Sequence, residues 1–267
     1  METASKDVLF TIALKLELPD LLRWCSSHPR INEDVCNNDN VWRAKLLKDY
    51  PDYQKFYIDK SLRETYVFMY QLSYLKELLN TDESLYDIFL RKEIDLSDNK
   101  LKRIPAFDLP NLQTLYLERN KLTRVPSLNL PNLRELYLGK NKLKEISVLN
   151  LPELEILNLE NNRLRKVPSL NLPNLRELFL GDNELEKVPA FNFPELYKLA
   201  LERNKLTKLP AFDLPNLREL YLTSNKLIKI PKFAFPNLEE LYLVDNRLTE
   251  KTKQKLKKKY KKIDLFL

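Results

Sequence analysis

Apolar and polar positions repeat with a fixed period through the last two-thirds of the chain. Between Ile94 and Asn246 the frame Leu-x-Leu-x-x-Asn-x-Leu recurs eight times. Within a copy, Leu136 and Leu138 alternate with Tyr137, which predicts a short strand with one buried face. The eight asparagines recur at one constant interval, without an insertion: Asn99, Asn120, Asn141, Asn162, Asn183, Asn204, Asn225 and Asn246. A fixed period on this scale predicts a solenoid, in which each copy buries its leucines only against its neighbours.

The segment that returns from one strand to the next contains prolines in most copies. One follows an Ile or Val, as in Val125-Pro126, and another opens a Leu-Pro-x-Leu segment. Two prolines disfavour a regular helix, so we expect extended or 3₁₀ turns on the convex side. The strands should then pair in parallel, about 4.8 Å apart. Because an asparagine side chain both donates and accepts, the eight asparagines should form a ladder that satisfies buried turn backbone.

The repeated frame, as in LYLERNKLTRVPSLNLPNL from Leu115 to Leu133, resembles the leucine-rich repeat. This resemblance covers roughly the last two-thirds of the chain. The predicted fold class is α+β, with a short N-terminal helical domain followed by a solenoid of eight 21-residue repeats that carries a curved parallel sheet.

The segment 1–48 is predicted to form a row of short helices. Apolar residues recur at helical spacing, prolines at Pro19 and Pro29 interrupt them, and Asp39 or Asn40 is expected to cap the next helix. The segment resembles an F-box, most like the variants that large DNA viruses of amoebae join to repeat domains. The Leu-Pro pair that usually opens an F-box lies here between two helices. The resemblance implies docking on a Skp-family linker of a cullin ubiquitin ligase, through Leu9, Ile12, Leu16, Leu18, Pro19, Leu21 and Leu22.

Two further segments flank the repeats. Residues 49–90 predict one long helix from Leu62 to Leu79 and a shorter one from Ser84 to Leu90, which we interpret as a connector and N-terminal cap. Residues 249–267 predict a basic helix to about Lys262 and a strand at 263–265 that closes the other end. The predicted domains are therefore 1–48, 49–90, 91–248 and 249–267.

Charge is concentrated at the C-terminal end. The chain has a formal net charge of +7, and the residues from Arg247 onward contain nine basic and two acidic side chains, which also sum to +7. Such a tail can attract nucleic acid or acidic membranes. We interpret it instead as a solvated cap, because Tyr260 is the only ring of its helix that could stack on a base. We therefore expect neither a nucleic acid nor a membrane as a partner.

The composition argues against an enzyme. One histidine, two glycines and two cysteines leave no metal cluster, no phosphate-binding loop and no dinucleotide motif, so no metal or cofactor is expected. A single-cysteine ubiquitin ligase using Cys25 or Cys36 is a remote alternative, with His28 as the only histidine. The few cysteines, the missing Asn-x-Ser/Thr acceptor and the absence of a secretory signal predict an intracellular, cytoplasmic protein, in the host cell cytoplasm if the chain is viral.

The expected binding surface is the concave face of the solenoid. The position between the two strand leucines points outward and is aromatic in five of eight copies. Tyrosine flanked by mixed charge is typical of protein-binding surfaces. The alternative is that the tyrosines only stack and stiffen the sheet. The candidate residues are Tyr116, Glu118, Arg119, Tyr137, Lys140, Asn158, Phe179, Ala200, Arg203, Tyr221 and Tyr242.

Two functions are compatible with these patterns. In the first, the chain is an adaptor: the F-box-like end docks the linker and the concave face holds a target protein for ubiquitin transfer. In the second, it is a protein-interaction scaffold whose N-terminal helices only cap the solenoid.

Overall fold

The computed structural model describes residues 4–56, 59–147, 149–231 and 235–267. They form two compact units, one ending at Phe89 and the other beginning at Leu90. The predicted division of the first unit at residue 48 stays a prediction.

The first unit is helical, as the spacing of its apolar residues predicts. Its helices are α1 (Lys6–Lys15), α2 (Leu18–Ser27), α3 (Pro29–Ile31), which continues as a π-turn (Asn32–Cys36), α4 (Asp39–Asp49), a 3₁₀ turn (Tyr53–Phe56), α5 (Leu62–Leu79) and α6 (Leu85–Leu90). The predicted cap of α4 is wrong by one or two residues. Asn38 holds that place, because its backbone is extended and its side chain accepts from the Asn40 amide.

A buried lysine joins three helices of this unit. Lys45 is 1% exposed, and its Nζ donates to the Leu16 carbonyl at 2.9 Å and lies 3.3 Å from the Asp49 carboxylate. Asp49 also accepts from the Tyr66 hydroxyl at 2.7 Å. The cation therefore caps the end of α1 while its charge is compensated from α4. The sequence analysis missed this role, because a lysine is normally expected on the surface even where its helical neighbours are buried.

The second unit is the predicted parallel-strand solenoid. Its strands are β1 (Glu93–Asp95), β2 (Thr114–Tyr116), β3 (Glu135–Tyr137), β4 (Ile156–Asn158), β5 (Glu177–Phe179), β6 (Lys198–Ala200), β7 (Glu219–Tyr221) and β8 (Glu240–Tyr242), followed by α7 (Glu250–Lys259) and β9 (Asp264–Phe266). All nine strands pair in sequence order and in parallel. The central residue of each of the strands β1–β8 is buried, so the apolar stripe is continuous.

The last strand lies one residue later than predicted. It begins at Asp264, because Leu265 pairs with the buried Leu241 of β8 and this pairing fixes the register. The preceding helix ends at Lys259, where the Tyr260 amide closes its last turn on the Leu256 carbonyl.

The asparagine ladder forms as predicted through seven of its eight members. The Oδ1 of Asn162 accepts from the Leu143 amide of the preceding copy at 3.0 Å, and its Nδ2 donates to three carbonyls, including that of Leu138 at 3.0 Å. The prediction is wrong for the eighth member, Asn99, which does not join the ladder. It is exposed and donates to the nearby Ser97 carbonyl, because β1 is the first strand of the sheet.

A second file of asparagines explains the Leu-Pro-Asn-Leu segment. The Nδ2 of Asn132 donates to the Pro110 carbonyl of the preceding copy at 2.7 Å, and Asn174, Asn216 and Asn237 make the equivalent bond. The described parts of the return segments contain turns, bends and isolated bridges but no helix, as their prolines predict.

The state of the two cysteines corrects two inferences that were drawn from the sequence. Cys25 and Cys36 are both buried and are joined as a disulfide between α2 and the π-turn. Neither is therefore a free thiol in this structure, which removes the basis for a cysteine-dependent ligase. It also removes the cysteines as an argument for a reducing compartment.

Candidate binding surface on the strand face

The outward side chains of β1–β9 form a surface that we call the strand face. In each strand the central residue is turned towards the core and its two neighbours point outward. Successive copies bring equivalent residues to neighbouring strands, so each outward position becomes a row across the sheet.

The row formed by the last residue of each strand is aromatic in six of the nine strands named above. Tyr116 stacks on Tyr137 with ring centroids 5.0 Å apart. At the other end Tyr221 stacks on Tyr242 at 4.7 Å, and Tyr242 stacks on Phe266 at 4.3 Å. The four tyrosines are half-buried and Phe266 is exposed. Stacking and exposure therefore occur together. The sequence analysis missed Phe266, which the alternation of Ile263, Leu265 and Leu267 could have revealed.

Carboxylates of the same face hold the tyrosine hydroxyls. The hydroxyl of Tyr137 donates to Glu135 at 3.0 Å, and that of Tyr221 donates to Glu219 at 2.9 Å and to Glu240 at 3.3 Å. Burial, together with these carboxylates, raises the pKa of both tyrosines, so they remain neutral donors at physiological pH. The rings are thus fixed at both their faces and their tips.

The middle of the aromatic row contains the short side chain of Ala200, which lies between Phe179 and Tyr221 of the neighbouring strands. Ala200 is 4% exposed, so the prediction that it lies on the accessible surface is wrong. Lys198 lies beside it, with its Nζ 5.9 Å from the ring centre of Phe179 and 5.3 Å from that of Tyr221. The same amine lies 2.7 Å from Glu219. Long neighbouring side chains therefore surround the short one at this position.

Carboxylates alternate with glycines just beyond the strands. Glu118, Glu160 and Glu202 are half-buried, and Gly139 and Gly181 between them are buried. A Cβ on Gly181 would lie 2.8 Å from the Glu202 carboxylate, so the glycine provides the space for that side chain. One oxygen of Glu202 is buried without a hydrogen-bond partner among the described residues. Burial raises the pKa of Glu202, and the nearby Glu160 adds to this effect.

Each repeat turns after its strand through a residue with left-handed backbone. Arg119, Lys140 and Arg203 hold this position with φ of 53°, 55° and 50°. Residues with a Cβ rarely adopt this conformation, which costs about 1–2 kcal/mol. The chain thus keeps basic side chains beside the strand face where glycine would be less strained.

The predicted linker surface of the helical unit needs correction. Leu9, Leu18 and Leu21 are at most 4% exposed and belong to its core. Ile12, Leu16 and Leu22 are half-buried, and Pro19 is exposed. Val8, which was not among the predicted residues, is 49% exposed. Leu9, Leu18 and Leu21 are therefore not accessible to a partner, whereas Val8, Ile12, Leu16 and Leu22 are at least partly accessible.

Other kinds of site find no support in the described residues. No group of three or more histidine, cysteine, aspartate or glutamate side chains is placed to hold a metal ion within the described chain. No helix in the described ranges is both long and apolar enough to cross a membrane.

Comparison with known families agrees with this architecture. Residues 92–130, 131–172 and 215–258 match the family described as "Leucine Rich repeats (2 copies)", and residues 173–227 match "Leucine rich repeat". The matches together run from residue 92 to residue 258, so the chain belongs to the leucine-rich repeat proteins. No match was found among curated proteins.

Two solved structures are similar over most of the chain. One is YopM, a leucine-rich effector protein from Yersinia pestis, with 28% identity, a TM-score of 0.55, and coverage of 75% of this chain and 54% of that one. The other is the repeat domain of a Shigella effector, with 26% identity, a TM-score of 0.56, and coverage of 73% and 86%. This chain therefore spans about half the length of YopM.

Proposed function

We propose that the chain is a non-catalytic adaptor that captures a target protein on its strand face. The observation that carries this proposal is the row of rings that are half-exposed and yet held by stacking and by carboxylates. Large aromatic side chains supply much of the energy at protein interfaces. Rings that are already fixed lose little conformational entropy on binding, so they favour tight association.

The charges around the rings select for a basic partner segment. The row at the first residue of each of the eight strands holds five glutamates and one lysine. The row two residues beyond the strands holds three glutamates and no base, and in the next row, at the left-handed turns, the bases Arg119, Lys140 and Arg203 are balanced by three aspartates. Complementary charge speeds encounter and excludes acidic competitors. The preferred target is therefore a segment that combines apolar side chains with lysine or arginine.

The comparisons favour action on the proteins of another cell. YopM and the Shigella protein are both described as effectors. The resemblance of residues 1–48 to F-box-like domains of amoebal viruses supports an analogous role in a eukaryotic host. We place its action in the host cytoplasm, where cullin ligases work. Cys25 and Cys36 can be reduced there without exposing a polar group, because a buried thiol packs as a small apolar side chain.

In this proposal the helical unit docks a Skp-family linker. Its candidate surface consists of Val8, Ile12, Leu16 and Leu22, which are exposed or half-buried apolar residues of α1, of its C-cap and of α2, beside the exposed Pro19. The core positions Leu9 and Leu21 are unsuitable for a test, because an aspartate there would unfold the unit.

The test of the linker role is direct binding of the purified chain to a purified Skp-family linker. We expect binding that Val8→Asp with Leu22→Asp abolishes, while tryptophan fluorescence, which reports only on Trp24 and Trp42, remains native. If the unaltered chain does not bind, the adaptor role fails and the chain is an interaction scaffold.

The test of the strand face is capture of host proteins by Tyr137→Ala/Tyr221→Ala. We expect capture to weaken by at least about 2 kcal/mol, with circular dichroism unchanged. Ile228→Ala is the matched control, because Ile228 is an apolar side chain that is 55% exposed away from the strands. Full capture by the folded double variant would place the target site elsewhere.

A further inference from the structure

The turns at the carboxyl ends of the strands form a second surface, which we call the basic loops. It comprises the first, third and fourth residues after each repeat asparagine in copies one to seven, and the first in copy eight. Of these 22 positions, sixteen are lysine or arginine and three are glutamate, a net charge of +13. The basic residues are Lys100, Lys102, Arg103, Lys121, Arg124, Lys142, Lys144, Arg163, Arg165, Lys166, Lys187, Lys205, Lys208, Lys226, Lys229 and Arg247.

Local packing forces these side chains outward. Leu122 and Val125 are buried in the core, so the residues between and before them face solvent. All sixteen cations are exposed. The backbone also holds the loops in register: the Lys121 amide donates to the Leu101 carbonyl at 2.8 Å, and Lys142 bonds in the same way to the preceding copy. Each file of cations therefore advances by one strand spacing, about 4.8 Å, per copy.

These cations are largely uncompensated. Glu184 pairs with Lys205 at 3.2 Å and with Arg165 at 3.6 Å, and no ion pair involves the other fourteen cations within the described chain. The amino-end side of the sheet is different, since Arg134 and Arg176 both pair with Glu155, and Arg218 pairs with Glu239. Like charges at this spacing repel one another, and a partner with dense negative charge relieves that repulsion.

The basic loops continue into α7. Leu248 is buried, and the chain then enters the helix, which bears exposed lysines at Lys251, Lys255 and Lys257. The basic tail, considered alone in the sequence analysis as a solvated cap, is thus the end of a longer basic surface along the repeats.

We propose that the basic loops and α7 bind double-stranded nucleic acid through its phosphates. A duplex carries one negative charge per about 1.7 Å of its axis, which suits a file of closely spaced cations. The 22 loop positions hold no aromatic ring, so they offer nothing on which the bases of a single strand could stack. They hold one apolar residue, Ile228, which is too little for insertion into a membrane. Binding should therefore be independent of sequence, as phosphate contacts are.

The experiment measures fluorescence anisotropy of labelled duplex DNA and duplex RNA of about 20 base pairs at salt from about 50 to 200 mM. We expect affinity to fall steeply with salt. Lys121→Gln/Lys142→Gln/Arg163→Gln should weaken binding about tenfold or more and lower the salt slope by about 1 per cation removed. The two duplexes distinguish DNA from RNA as the source of the phosphates.

The control separates a located surface from general attraction to a basic protein. Arg134→Gln/Arg176→Gln/Arg218→Gln loses the same charge from the opposite side of the sheet, and should bind as the unaltered chain does. The proposal is overturned if the chain does not bind duplex at low salt, or if the two triple variants weaken equally. Preference for a single strand, or for vesicles with about 30% phosphatidylserine, over duplex would also overturn it.

Discussion

Replacing Asn162 by alanine tests the physical role of the ladder most directly. Asn162 is 8% exposed. Its loss leaves the Leu143 amide without its acceptor and removes a donor from the carbonyls of Leu138, Leu159 and Glu160. A buried group left unpaired costs about 1–3 kcal/mol. Because one donor and parts of three acceptors are affected, we expect the free energy of unfolding to fall by about 3 kcal/mol.

The chain contains its own matched control. Asn99 occupies the same position in the first copy, but it is exposed and donates to the Ser97 carbonyl. Asn99→Ala removes the same atoms without burying an unpaired group, so it should cost less than about 1 kcal/mol.

Thermal unfolding followed by circular dichroism measures the difference. At about 2–4 °C per kcal/mol for a chain of this size, Asn162→Ala should lower the melting temperature by roughly 6–12 °C and Asn99→Ala by a few degrees at most. Equal melting temperatures for the two variants would refute this reasoning. It holds that the asparagine stabilises the fold through hydrogen bonds to buried backbone, and not merely by occupying its position in the motif.

Three further outcomes follow from the packing. Lys45→Met should lower the stability of the helical unit by about 3 kcal/mol in urea unfolding followed by tryptophan fluorescence, because it removes a buried cation that bonds the Leu16 carbonyl and pairs with Asp49. Lys48→Met, whose amine is more exposed and lies farther from the same carboxylate, should cost under about 1 kcal/mol. Burial raises the pKa of Glu202 above its usual 4.5, so the folded state holds that proton more tightly and stability falls as pH rises through the raised pKa. Glu202→Gln should therefore raise the melting temperature at pH 7 and weaken this dependence, whereas Glu160→Gln, which removes only a neighbouring charge that adds to the shift, should have the same effects more weakly. Lys140→Gly relieves left-handed strain and should stabilise by about 1 kcal/mol; an unchanged or lower melting temperature would contradict that reasoning.

The functional surfaces show where sequence reasoning reached and where it stopped. The alternation around Tyr137 was enough to predict an outward ring, because side chains of a strand point to alternate faces. It could not decide that Ala200 is buried, since this depends on Lys198 of the same strand and on the rings of Phe179 and Tyr221 that flank it on the adjacent strands. Nor could it show that Leu9 and Leu21 belong to the core while Val8 is exposed, because helical spacing defines a stripe but not which edge of it meets another helix.

By itself, the sequence determined the solenoid. A constant period, with two leucines per strand and one asparagine per turn, specifies the same local conformation eight times, and parallel stacking of the copies buries every stripe. Only the tertiary structure decided which residues at the same motif position contribute equally to the stability of the fold. Asn99 and Asn162 share a motif but differ in burial, because one begins the stack and the other lies within it. Likewise, cations that lie a full repeat apart in sequence become neighbours only when the copies stack, so the basic loops exist as a surface in the folded chain alone.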